Sequence, residues 1–181
     1  MISRDNHMRR VEVIETSRLL LRRPTLADKD ILSSILLDEQ AQHFLGGVLS
    51  PDDAEARITA LLQAWEDQNG GAWAVCEQGK NTPCGTCALD MFEEEIEVSY
   101  RFSPVVWGRG YATEAAAACL RYGFQDLGLT RIIGVTQEAN RGSQHVLEKL
   151  GMRHVRNLWK WEAPQRYYEI TSLEWSAQQE K

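Results

Sequence analysis

The sequence is short of several things that would have set its class at once. It has no apolar run long enough to span a bilayer, which excludes a helical membrane protein. Its first residues, Met1 to Arg10, are polar and mixed in charge, without the basic stub and apolar core of an export signal. Cysteine is sparse. The four thiols (Cys76, Cys84, Cys87, Cys119) are too few and too scattered to form a disulfide framework in 181 residues, so reduced thiols and a cytoplasmic location are expected. The basic residues form no long run and the net charge is -6, a poor match to a phosphate backbone, so neither nucleic acid nor membrane is an expected partner. There is also no repeat, low-complexity tract or linker, and hydrophobic residues at 43% are enough for one compact domain.

The punctuation of the chain orders its elements. Ser17 to Arg23 is short, apolar in the middle and stopped by Pro24, as a first strand would be. Thr25 is placed to cap a helix over Leu26 to Asp38, and a second helix is expected from Ser50-Pro51, with Ala54, Ile58, Leu61, Leu62 and Trp65 as its stripe. After Gly70-Gly71 the period changes to that of strands: Ala72 to Glu77, Cys84 to Met91 and Glu95 to Phe102. Gly108 to Leu127 then reads as helix, Arg131 to Thr136 as strand and Arg141 to Leu150 as helix, and two strands close the chain around Pro164. This is a mixed α/β order around one sheet.

The most informative stretch is Val106 to Glu114, which follows a strand and opens a helix. Gly108 and Gly110 flank a single residue, so the backbone there can approach a bulky anion, and the unsatisfied N–H groups of the first helical turn point the same way. The helix beyond is rich in small residues (Ala112, Ala115, Ala116, Ala117, Ala118) and can lie close to a sheet. The same spacing also suits an ordinary strand-to-helix turn. A dinucleotide fingerprint is excluded because the third glycine and the distal acid are missing from the required context, and no Gly-Lys-Ser/Thr of a Walker loop follows.

Trp107-Gly-Arg-Gly-Tyr-Ala-Thr-Glu-Ala115, with Asn140-Arg-Gly-Ser143 and Glu148-Lys-Leu-Gly-Met152, resembles the coenzyme A motif and following helix of the GCN5-related N-acetyltransferase (GNAT) superfamily. Trp107 in particular resembles the branch that includes the ribosomal-protein N-terminal acetyltransferases. The resemblance implies a single-domain fold: a mixed central sheet of about seven strands with flanking helices, splayed between the fourth and fifth strands. The domain would cover 16–176, with 1–15 a flexible extension and 177–181 a polar tail. It implies acetyl-coenzyme A as co-substrate and no metal. The backbone N–H groups of Gly108, Arg109, Gly110, Tyr111, Ala112 and Thr113 would bind the pyrophosphate behind Trp107. Tyr100, Arg101 and Phe102 would line the pantetheine arm by strand-like pairing, Asn140 would hydrogen-bond it, and Ser143 would sit near the thioester sulfur.

Acetyl transfer to an amine needs a deprotonated nitrogen, a stabilised oxyanion and a protonated leaving thiolate. On Glu95 to Phe102, alternation puts Ile96, Val98, Tyr100 and Phe102 on one face and Glu97, Ser99 and Arg101 on the other. The branch resembled here also carries a Glu at this place, which makes Glu97 the candidate base, acting directly or through a water. Its neighbours Glu93, Glu94 and Glu95 equally suit a solvated face, or an acidic cleft that draws in a cationic amine. Asn140 reads as a helix N-cap and Ser143 as a first-turn residue. Where other members of the superfamily carry a Tyr general acid, this chain has Leu147, so Ser143, a water or another Tyr would have to donate. The pair Cys84 and Cys87 lies in a strand with its side chains on opposite faces, without a second metal-spaced pair. The expected acceptor is a protein N-terminus or a small amine, attacked directly in a ternary complex by a monomer or homodimer. The alternative is a non-catalytic acyl-coenzyme A binding or sensing module.

Overall fold

The computed structural model describes residues 11–67 and 71–179. The other residues, including most of the expected extension and the end of the expected tail, lie outside the described ones. The elements in chain order are β1 (Val13–Glu15), β2 (Leu19–Arg22), α1 (Lys29–Leu36), α2 (Glu39–Gln42), α3 (Pro51–Glu66), β3 (Trp73–Glu77), β4 (Pro83–Phe92) and β5 (Glu95–Phe102). They continue with α4 (Tyr111–Arg121), β6 (Arg131–Gln137), α5 (Arg141–Lys149), β7 (Arg153–Lys160), β8 (Ala163–Thr171) and α6 (Ser172–Gln179).

The strands form one sheet in the order β1-β2-β3-β4-β5-β6-β8-β7. It has eight strands rather than about seven, because Val13–Glu15, within the stretch expected to be an extension, pairs with β2 as an edge strand. Three residues carry too little alternation to be read as a strand. The closing hairpin turns at Trp161 and Glu162, both at positive φ, and Pro164 lies inside β8 opposite Trp159 instead of marking the turn.

Two helical layers cover the sheet. Leu19, Leu21, Trp73, Cys87, Leu89, Val98 and Phe102 share a core with Ala115, Ala116 and Cys119 of α4, Leu147 of α5 and Trp175 of α6. Arg22 points to the opposite face, where its guanidinium holds Asp28 in two 2.7 Å bonds just ahead of α1. Asp28 also accepts from the Thr25 N–H at 2.7 Å, so the cap expected at Thr25 closes a turn of 3-10 helix before α1 begins. Helix α3 packs beside α1 through Ala54 and Ile58. Its start is set by Ser50, whose hydroxyl accepts from the Asp53 N–H at 3.1 Å ahead of Pro51.

The sheet is not uniformly laced. The β4–β5 register runs unbroken from Gly85↔Phe102 to Phe92↔Glu95, whereas β5 and the parallel β6 share only Glu97↔Ile133. Beyond that pair the two strands separate towards Phe102, the splay expected between the fourth and fifth of the strands read from the sequence.

Candidate active site

The gap between β5 and β6 is where the sequence-flagged groups meet. Ser103 N–H donates to the Cys84 carbonyl on β4, so by alternation Tyr100 and Phe102 turn their backbone polar groups to the other edge, into the gap. Arg101, between them, turns its own towards Thr86 of β4 and its side chain away from the α4 layer. The Phe102 carbonyl already accepts from the Trp107 indole N–H at 3.0 Å, which fixes Trp107 at the mouth of the loop.

The loop itself keeps its donors free. Among the described residues, none of the N–H groups of Gly108, Arg109, Gly110, Tyr111, Ala112 and Thr113 donates a hydrogen bond. The next amide, that of Glu114, donates to the Gly110 carbonyl at 3.0 Å and begins the helical ladder. Gly108 and Gly110 have φ of 75° and 79°, a conformation that side-chained residues adopt only at a cost. Helix α4 therefore starts at Tyr111, later than the Gly108 expected from the pattern, and the preceding glycines form the cradle.

A residue without a sequence signal braces this cradle. The Arg18 guanidinium donates to the Arg109 carbonyl at 2.8 Å and to Glu114 Oε2 at 2.6 Å, and lies 5.1 Å from the Tyr111 ring centre. Thr16 Oγ1, Ser17 Oγ and the Arg18 N–H all donate to Glu114 Oε1, at 2.7, 3.1 and 2.9 Å. Burial alone would raise the Glu114 pKa, but these bonds together hold it below its ordinary value. The acid of the loop motif is thus a tie between the N-terminal strands and α4.

Across the gap from the cradle stand the proton-handling groups. Glu97 is half-buried, and its Oε1 accepts from the Val135 N–H of β6 at 3.0 Å. Burial raises its pKa to about 7, the Val135 bond opposing and nearby Asp90 adding to the shift. It is therefore not a solvated strand-face carboxylate. Asn140 Oδ1 accepts from the Ser143 N–H at 3.0 Å, the N-cap expected for α5. Ser143 Oγ lies 2.9 Å from the hydroxyl of Tyr100, which also donates to the Ser143 carbonyl at 3.2 Å. The sequence places Tyr100 on the apolar face of β5 and, by the resemblance, along the pantetheine arm, with no proton role for its hydroxyl; the available hint is that a tyrosine hydroxyl inside the fold needs a partner. Its pKa is strongly raised by burial, so it stays protonated.

Leu147 is buried in the core and cannot stand in for a tyrosine acid. A Cβ on Gly134 of β6 would come within 2.7 Å of it. Cys87 Sγ sits 3.4 Å from Cys119 Sγ inside the core, while Cys84 Sγ donates to the Val75 carbonyl, so the two strand thiols serve separate neighbourhoods.

A split sheet whose gap runs up to a loop of free amides is the architecture of an acyltransferase that grips a coenzyme diphosphate at a helix start. The comparisons give that class a family. Residues 18–153 match the Acetyltransferase (GNAT) domain model. YkkB of Bacillus subtilis, an uncharacterised protein, is 39% identical over 167 residues, 87% of this chain and 94% of that protein. The crystal structure of a GNAT-family acetyltransferase from Bacillus anthracis superposes with a TM-score of 0.79 at 28% identity, covering 89% of this chain and 99% of the other. RimL, a ribosomal L7/L12 alpha-N-protein acetyltransferase solved with coenzyme A, has the same fold at a TM-score of 0.74 and 15% identity, covering 88% of this chain and 98% of its own. The chain belongs to the GNAT acetyltransferase family and is an acetyltransferase that uses acetyl-coenzyme A.

The residues present fit that co-substrate. Free amides at the loop suit a diphosphate, and the β5 edge at Tyr100 and the Phe102 N–H, which has no β6 partner, suits the amides of a pantetheine arm.

Proposed function

We propose that this enzyme moves the acetyl group to a primary amine by direct attack, with Glu97 taking the proton and the Tyr100–Ser143 hydroxyl pair serving the leaving thiolate. The observation that carries this reading is the placement of two kinds of proton-handling group on opposite faces of one strand gap. Glu97 reaches it from the α1–α3 face and carries a pKa of about 7, while Tyr100 and Ser143 reach it from the α4–α5 face. A base poised near neutrality is suited to removing a proton from an ammonium, directly or through a water. A buried, protonated hydroxyl 2.9 Å from a second hydroxyl can pass a proton to a sulfur while the serine re-forms its bond.

In the step itself the amine nitrogen forms a bond to the thioester carbonyl carbon, the C–S bond breaks, the nitrogen's proton goes to Glu97 and the thiolate is protonated through Tyr100 and Ser143. The cradle amides and the β5 edge act by positioning, since a displaced thioester loses its alignment with both proton groups. Expected acceptors are protein N-termini or small amines. Leu147 in place of a tyrosine leaves a non-catalytic acyl-coenzyme A module as the alternative; the Tyr100 hydroxyl supports an enzyme by offering the donor that Leu147 lacks.

Thiol release from acetyl-coenzyme A, measured against a panel of peptides and small amines, tests this. Glu97→Gln is expected to lower kcat about 100-fold at neutral pH, with partial recovery at high pH and nearly unchanged acetyl-coenzyme A affinity. A variant with full activity removes Glu97 from the chemistry.

A further inference from the structure

Arg101 is a half-buried cation that neither the fold nor the chemistry above explains. It lies opposite Thr86 of β4, and its Nε has no hydrogen-bond partner. The charged neighbour that acts on it is another cation, Arg57 of α3; burial first and Arg57 second bring its pKa down to about 10. Other cations close to the sheet are paired with acids: Arg18 with Glu114, Arg22 with Asp28, Lys160 with Glu93. No described acid pairs with Arg101 or Arg57, in a chain with 26 acids to 20 lysines and arginines. A guanidinium whose Nε is buried without a partner or counter-ion is unfavourable, and an anion from outside would complete it.

The faces of the sheet say which anion. Arg101 shares its face of β5 with Ser99 and Glu97, and the exposed Arg57 of α3 is close enough for its charge to act on it. The diphosphate cradle belongs to α4, which packs on the Val98 and Phe102 face. An anion at Arg101 is therefore part of the molecule that approaches Glu97, not of the coenzyme. Along a strand, the four-residue step from Glu97 to Arg101 spans about 13 Å. An α-amino acid is too short for that span, whereas an extended peptide covers it with about three or four residues.

We propose that Arg101 and Arg57 form a carboxylate subsite for the acceptor, which is a peptide-like amine bearing an acidic group about three or four residues from its reactive nitrogen. This rests on Glu97 marking where the amine reacts. The test is thiol release with alanine peptides of two to five residues, each with a free C-terminal carboxylate or a C-terminal amide, in the wild type, Arg101→Met and Arg57→Glu. The acetyl-coenzyme A melting shift is measured on every protein. For peptides of three residues or more, the carboxylate form is expected to exceed the amide about ten-fold in kcat/KM, with little preference for the dipeptide. Both substitutions should reduce that preference to near unity and keep the acetyl-coenzyme A shift.

Equal rates for carboxylate and amide at every length would overturn the subsite. So would an Arg101→Met protein whose loss falls on the acetyl-coenzyme A shift, which would assign the pair to a coenzyme phosphate. Acetylation of small amines but of no peptide sinks the peptide-like acceptor and leaves Glu97 as base. Loss of the wild-type acetyl-coenzyme A shift sinks the underlying reading as well. Should Arg101→Met fail to fold, Arg57→Glu on the exposed side of α3 carries the comparison.

Discussion

At the scale of single residues, Glu97 couples activity to stability. Burial holds its carboxyl protonated up to a pH of about 7, while the unfolded chain ionises it near 4.5. Between those values the native state retains a proton that the unfolded state has lost, so the stabilisation present below pH 4.5 drains away as pH rises through 7. Glu97→Gln cannot ionise and keeps an acceptor for the Val135 N–H. Relative to the wild type it should therefore gain stability between pH 4 and pH 8, by up to about 3 kcal/mol, while losing activity. Urea unfolding of both proteins at the two pH values measures this; parallel stability curves would mean that Glu97 titrates normally. Tyr100 and Ser143 share one hydrogen bond, so their losses should overlap. Tyr100→Phe and Ser143→Ala are each expected to lower kcat about 10- to 100-fold, and the double variant by much less than the product. Strict multiplicativity in the rates would assign the two hydroxyls to independent tasks.

At the scale of elements, the diphosphate cradle is a strained loop held from behind. Gly110 at φ 79° has Arg18 Nη2 3.4 Å from where a Cβ would stand. Gly110→Ala should cost about 1–2 kcal/mol of stability from its backbone conformation alone and weaken acetyl-coenzyme A binding further. Glu114 is the tie that aligns the loop with β2, collecting Thr16, Ser17 and Arg18. Glu114→Ala should raise the KM for acetyl-coenzyme A with a smaller change in kcat, because the brace sets where the amides aim without touching the reacting atoms. Steady-state kinetics read that split directly, and a loss confined to kcat would contradict it.

At the scale of the whole molecule, the open β5–β6 seam leaves strand edge unpaired that a bound coenzyme would cover. Acetyl-coenzyme A should therefore raise the melting temperature, while NAD and ATP, which bring phosphates without a pantetheine arm, should not. Thermal scans with the three ligands decide this, and an equal response to ATP would count against a seam-lined site.

The sequence by itself determined most of the element order, apart from β1, α2 and the closing α6, together with the eight residues of β5, the glycine-flanked loop, the Asn140 cap and the family, because periodicity, turn residues and a contiguous motif are local signals. It also placed Glu97 on the face away from Val98, though not its depth. Only the tertiary structure decided what depends on residues far apart in the chain. Arg18 braces Arg109 and Glu114, Tyr100 meets Ser143, the Val135 N–H donates to Glu97, and the Arg101 Nε is left buried without a partner. The three-residue β1 likewise acquires its identity from pairing with β2. Each of these is a long-range closure whose energy comes from burial and from partners brought together by the sheet, and no spacing along the chain encodes it.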